Sequence, residues 1–249
     1  MYDSLSKEYI DKTIDDLVEV LGVKEEIPKK ELITIASAKK PRQCIEKIAM
    51  HLGLPVHIKL SPVPKNYKQE SNKRFETRQL SKTNSSGKGT GGIVAQVFIP
   101  EHLPSYGSLQ LKGYPIAVRI SENYFEEPET FITLIAHEMS HVLLNSLWHP
   151  MRDNEFYTDL VPIVLGFGKI IDSGRKIETP ESITTFGYLT DKQYNYSREK
   201  IDQILEEYKS LKTMLLEKAR LIQDFIEDLK NDLMQFEKLL KDIYKHGKK

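Results

Sequence analysis

Residues 131–148 read FITLIAHEMSHVLLNSLW, and this segment decides the fold. Drawn as a helix, it is apolar around nearly its whole circumference, so we expect a buried helix. Pro128 and the glutamates around it favour a helix start just before the segment. The only ionisable side chains within it are those of His137, Glu138 and His141. Burying three such groups together is costly unless they are paired or bind a metal.

The arrangement H-E-x-x-H predicts a zinc site. His137 and His141 lie one turn apart on one helical face, where two imidazoles can bind the same ion. Glu138 lies about 100° round the helix from His137, beside the position that a catalytic water would take. The non-functional interpretation is two core histidines with an ion-paired glutamate.

A catalytic zinc site needs a third protein ligand and leaves the fourth position to water. The candidates after His141 are His149, Asp153, Glu155 and Asp159. We favour Glu155, because a second helix beginning near residue 154 carries Glu155 and Asp159 one turn apart. One of these carboxylates would bind zinc and the other would orient a histidine ring. Asp159 and His149 stay open as ligands, and ordinary first-turn acids are the structural alternative.

Two motifs taken together resemble the zincin metallopeptidases, specifically their gluzincin, or thermolysin-like, branch. They are HEMSH at residues 137–141 and NEFYTD at residues 154–159. The likeness covers roughly residues 93–168. It implies an α+β fold with a zincin-like core, built from a small sheet and active-site helices.

The resemblance also implies a role for each residue. His137, His141 and Glu155 would hold Zn²⁺, Glu138 would be the general base, and Asp159 would support the first histidine. The implied activity is a hydrolase that cleaves peptide bonds in a peptide or protein substrate. For the hydroxyl that stabilises the oxyanion, the candidates are Tyr157, Tyr188 and Tyr194.

The residues before the central segment predict helices and a small sheet. Apolar spacing and stop signals indicate helices at 2–21 and 41–51. Runs of β-branched residues predict strands at 55–60, 93–99 and 114–120, and either of the last two could bind an extended peptide along its edge. Residues 61–92 are polar and end in the run SKTNSSGKGTGG at 81–92, which is rich in glycine from Gly87 to Gly92. The run does not match a phosphate-binding loop, so we interpret it as a flexible loop or a connection between strands.

The C-terminal region predicts a long helix, because no glycine or proline occurs from Tyr188 to His246. Apolar residues recur every seven positions at Ile201, Tyr208, Leu215, Ile222, Leu229, Phe236 and Ile243. This repeat is typical of a coiled-coil seam, which Lys218 and Asp232 interrupt. Two antiparallel helices are the alternative. The apolar stripe would serve a homodimer or a partner protein, or would pack on the chain's own body.

These patterns divide the chain into an N-terminal helical segment at 1–54, a catalytic domain at 55–190 and a helical extension at 191–249. The 36 basic and 36 acidic residues argue against nucleic-acid binding. No apolar run is long enough for a membrane span, and no signal peptide is visible, so we expect a cytoplasmic protein without membrane contact. The single cysteine, Cys44, excludes an internal disulfide.

The predicted function is therefore a zinc-dependent metallopeptidase. A scaffold protein that uses the zincin-like fold as a binding module, with its C-terminal helix as the docking surface, is the alternative. A third interpretation is a metal-dependent hydrolase acting on another bond, because H-E-x-x-H chemistry activates water without choosing the substrate.

Overall fold

The computed structural model describes residues 6–65, 81–84, 95–180 and 182–246. Its contacts divide the chain into two compact units, Met1–Asp202 and Gln203–Lys249. The boundaries predicted after residues 54 and 190 both fall inside the first of these units. The α+β class predicted from the sequence is confirmed, with small sheets and a long C-terminal helix.

Three helices open the first unit: α1 (Lys7–Leu21), α2 (Lys29–Ser37) and α3 (Pro41–His51). The side chain of Ser6 caps the start of α1, and Gly22 ends it in the left-handed conformation, with φ 69°. Helices α1 and α3 were predicted. Helix α2 was not, because only Leu32 and Ala36 are buried along it, which is too short an apolar repeat to read.

The central sheet consists of β1 (His57–Val63), β3 (Ala95–Phe98) and β4 (Pro115–Ser121). Strand β4 lies in the middle, parallel to β1 and antiparallel to β3. The strand predicted at 114–120 is therefore paired on both sides, and edge addition of a peptide to it is excluded. The same prediction for residues 93–99 stays a prediction.

A second sheet pairs β2 (Ser81–Asn84), β6 (Ser182–Phe186) and β5 (Lys176–Thr179) in that order, all antiparallel. Strand β2 takes up the first four residues of the run at 81–92, so the prediction of a flexible loop there was wrong for these four residues. The glycine-rich run at 87–92 lies outside the described residues. Strand β6 carries the chain directly into Gly187, Tyr188 and Leu189, which line the site described below.

Helix α4 (Pro128–Ser146) is the buried centre of the first unit and contacts α2, α3, α5, α6 and β3. A loop leads to α5 (Glu155–Pro162), which ends at its proline as predicted. A wide helical turn at Ile163–Phe167 then leads to α6 (Gly168–Gly174). The helical path is kinked at Gly166, where φ is 89° and a β-carbon would lie 2.2 Å from the carbonyl oxygen of Glu25.

Helix α7 (Asp191–His246) is continuous, so the alternative of two antiparallel helices was wrong. Its side chains from 210 to 241 are all exposed. Across the part of the chain that is described, no helix combines the length and apolar character that crossing a membrane requires.

Candidate metal centre

Helices α4 and α5 bring three ligand atoms to one point. The Nε2 atom of His137 lies 3.3 Å from Oε2 of Glu155, and Nε2 of His141 lies 3.2 Å from the same oxygen. All three atoms lie within 4.8 Å of one another. Two atoms that bind one tetrahedral zinc at about 2.0–2.1 Å are roughly 3.3–3.4 Å apart, so the spacing fits a shared ion. His137, His141 and Glu155 therefore form a group that could hold a metal ion.

The hydrogen bonding of these atoms also fits a site for a cation. Nε2 of His141 and Oε2 of Glu155 are buried, and neither has a hydrogen-bond partner within the described ranges. The two atoms are close, but their orientation is not that of a hydrogen bond. Buried polar atoms are seldom left unsatisfied, and a place for an ion is one of the usual reasons.

Asp159 fixes the ring of His137 from the opposite side. Its Oδ1 lies 2.7 Å from Nδ1 of His137. The carboxylate therefore orients the ring and leaves Nε2 to face Glu155. Its Oδ2 accepts hydrogen bonds from the backbone N–H groups of Tyr188 and Leu189. Asp159 is thus placed as the partner of a ligand rather than as a ligand itself.

Thr158 occupies the equivalent position behind His141, and no sequence pattern had indicated this role. Its Oγ1 lies 3.4 Å from Nδ1 of His141 and donates a hydrogen bond to the carbonyl oxygen of Asn154. Because this proton is engaged with Asn154, the hydroxyl oxygen can accept a hydrogen bond from the Nδ1–H of His141. In that arrangement Nε2 of His141 carries no proton, and its lone pair is free to bind a metal. The available signal was its place directly before Asp159.

The other ligand candidates lie elsewhere. His149 is buried with its Nε2 3.3 Å from Asp16, and its Nδ1 accepts a hydrogen bond from the backbone N–H of Met151. Asp153 is exposed in the loop before α5. Neither belongs to the group formed by His137, His141 and Glu155.

The electrostatics of the group favour positive charge at the point of convergence. Burial opposes a charged His137 ring, but contacts with Asp159 and Glu155 outweigh it and raise the pKa of His137 well above its ordinary value. Burial likewise opposes ionisation of Glu155, yet contacts with His137 and His141 lower its pKa to about 2. Two carboxylates thus surround one ring, an arrangement in which a divalent cation compensates the negative charge.

Glu138 lies on the next side of α4 and is buried. Together with His137 and Asp159 it lines a pocket of about 530 Å³, part of which is open to solvent. Much of the remaining wall is apolar or aromatic and includes Leu134, Ile171, Phe186, Tyr188 and Tyr194. A carboxylate at the wall of such a pocket, beside side chains that could hold a metal ion, can accept a proton from a reacting water.

Of the three candidate tyrosines, Tyr188 lies at the site. Its ring stacks on His137 with centroids 6.0 Å apart, and its hydroxyl lies near the carboxylate of Glu155. Burial and the nearby charge of Glu155 raise the pKa of Tyr188, so the hydroxyl keeps its proton. Tyr194 donates to Asp172 at the far wall of the pocket, and Tyr157 packs against His149.

Comparison with known proteins adds no relative to this description. The chain matches no protein-family model, no curated protein and no solved structure. The resemblance to zincins therefore rests on the residues of the two motifs, and the structure adds a group, His137, His141 and Glu155, that could hold a metal ion.

Proposed function

We propose that this chain is a zinc-dependent metallopeptidase of the zincin type. The single observation that carries the proposal is the convergence of His137, His141 and Glu155 on one point, at separations that suit a tetrahedral zinc ion. The nitrogen and carboxylate donors favour zinc over calcium or magnesium, which prefer all-oxygen sites.

A zinc ion held by His137, His141 and Glu155 would supply Lewis-acid chemistry and would lower the pKa of a water at the site towards about 7. Glu138 accepts a proton from the attacking water and delivers it to the amide nitrogen as the peptide bond breaks. Asp159 and Thr158 hold the two histidine rings in position. Tyr188, which packs on His137, is the tyrosine we assign to the oxyanion. The largely apolar pocket would accept a substrate side chain.

The test is Glu138→Gln, with zinc content and peptide cleavage measured on the same preparation. Cleavage of a mixed peptide library is followed by mass spectrometry, and zinc is measured by elemental analysis. We expect unchanged zinc and loss of cleavage. The matched control is Glu129→Gln, on the same helix but paired with Lys29 at the surface, which should keep both. Unchanged cleavage in Glu138→Gln would refute the general-base role.

A second candidate function is supported by α7. Large apolar side chains stay 42–68% exposed along it from Tyr208 to Leu240, which suits a scaffold that docks another chain. In that case the metal site would be structural, and no peptide in the library would be cut by the zinc-loaded protein. Hydrolysis of a non-peptide ester or amide by the same preparation would instead favour the broader metal-hydrolase interpretation.

A further inference from the structure

The exposed apolar residues of α7 form one stripe. Most of them fall at three positions of the seven-residue repeat, those of Leu215, of Ala219 and of Phe225, with Met214, Leu216 and Leu221 at the margins. From Tyr208 to Leu240 the stripe runs about 50 Å along the helix. Single exposed apolar residues are normal on a surface, but a continuous stripe of this length indicates that another helix covers it.

Two charges inside the stripe have no partner along their own helix. The positions three and four residues from Lys218 hold Met214, Leu215, Leu221 and Ile222. Those around Asp232 hold Asp228, Leu229, Gln235 and Phe236. Neither charge can therefore form the ion pair that helices ordinarily make at these spacings. Both side chains are exposed and lie at the same repeat position as Phe225, at one side of the positions of Leu215 and Ala219.

We propose that α7 pairs with α7 of a second copy of this chain, antiparallel, about a two-fold axis near Asp224. In this alignment Ile226 faces Ile222 of the second copy, and Leu233 faces Leu215. The small Ala219 faces Leu229. Every central layer from Ala219 to Leu233 is then apolar on both sides, which a coiled-coil core requires.

The same alignment pairs the two isolated charges. Lys218 comes opposite Asp232 of the second copy, and the two-fold axis makes this pair twice. Farther out, Lys209 comes opposite Glu237 of the second copy, also twice. Charges that flank an apolar seam set the orientation of a coiled coil, so this pattern selects the antiparallel pair.

A parallel alignment is disfavoured by the same residues. It would place Lys212 against Lys212 of the second copy within the core layers, and Asp232 beside Glu237. Like charges at such positions are repulsive. In the antiparallel pair Lys212 instead faces Phe236, against which its stem and ammonium can pack.

The test measures the dimer dissociation constant of the full chain by sedimentation, in wild type and charge-reversed variants. We expect a wild-type dimer, about tenfold weaker dimerisation for Lys218→Asp and for Asp232→Lys alone, and recovery when both are combined. The control is Asp224→Lys, at an exposed position on the side of the helix opposite the stripe. It should leave dimerisation unchanged.

Two results would overturn the proposal. One is a wild-type chain that stays monomeric at 100 µM. The other is tighter dimerisation in Asp232→Lys alone, which would indicate a parallel pair in which Asp232 meets Glu237. A cross-linking measurement decides even if a variant misfolds. Lys209→Cys and Glu237→Cys should form a mixed disulfide with each other, and neither should form one with itself. The native Cys44 does not interfere, since it is buried.

Discussion

Oδ1 of Asp159 lies 2.7 Å from Nδ1 of His137, the ring nitrogen away from Glu155. Its Oδ2 accepts hydrogen bonds from the backbone N–H groups of Tyr188 and Leu189. One carboxylate thus connects α4, α5 and the segment after β6. It fixes the ring of His137 and the floor of the pocket together.

This relationship predicts that Asp159→Asn binds zinc about 10- to 100-fold more weakly, because the ring of His137 loses its charged partner. Zinc affinity is measured by competition with a chelator of known affinity. Asp153→Asn, in the exposed loop before α5, is the matched control and should bind as wild type. Equal affinity in the two variants would mean that Asp159 has no part in orienting the ligand.

A second prediction distinguishes Glu155 from His149 as the third zinc ligand. Structural sites with four protein ligands bind zinc with about 10–16 kcal/mol, and the site proposed here has only three, so Glu155→Gln should weaken zinc binding by roughly a hundredfold or more. His149→Ala should keep zinc stoichiometric, because its Nε2 is directed at Asp16. Elemental analysis of both variants gives the answer. Loss of zinc from His149→Ala with retention in Glu155→Gln would reverse the assignment.

Cys44 provides a probe of stability. Burial raises the pKa of its thiol to about 12, so only about one molecule in ten thousand is a thiolate at pH 8. We therefore expect thiol reagents to label the native protein very slowly and the urea-unfolded protein at once. Because zinc would bind only the folded site, chelation should speed the labelling and added zinc should slow it. Labelling that is fast in native protein and indifferent to zinc would contradict this.

A further prediction concerns the contribution of Gly166 to the free energy of unfolding. A β-carbon there would meet the Glu25 backbone in addition to adopting a positive φ, so Gly166→Ala should lower the free energy of unfolding by roughly 2–4 kcal/mol. Gly113 also has a positive φ, 73°, but nothing within 4 Å of its β-carbon position. Gly113→Ala should therefore cost only about 1 kcal/mol. Urea denaturation of both variants measures the difference, and equal losses would show that the Glu25 contact is unimportant.

The site-bearing helices could be predicted because their signals are local. The apolar circumference of residues 131–148, the capping Asn154 and the terminating Pro162 each act within one or two turns. These signals also placed the two histidines and Glu155 near one another.

What could not be predicted depends on contacts between distant segments. Strands β5 and β6 are short, and they are completed by β2, about a hundred residues earlier in the chain. Tyr188 lies against His137 only because strand β6 ends two residues before it, at this side of the site. Thr158 looked like any polar helix residue until its distance to His141 was known. Pairings of this kind leave little trace in a local pattern.

The first helix has a consequence for the chemistry. Asn154, which starts α5, donates a hydrogen bond to the Tyr9 hydroxyl, and Tyr9 packs edge-on against Phe156. At the other end of α5, residues 24 and 27 hydrogen-bond the turn at 164–166. The short helix that supplies Glu155, Thr158 and Asp159 is thus clamped at both ends by the amino-terminal thirty residues. Removing residues 9–27 would therefore loosen the candidate metal centre, which lies more than a hundred positions later in the chain.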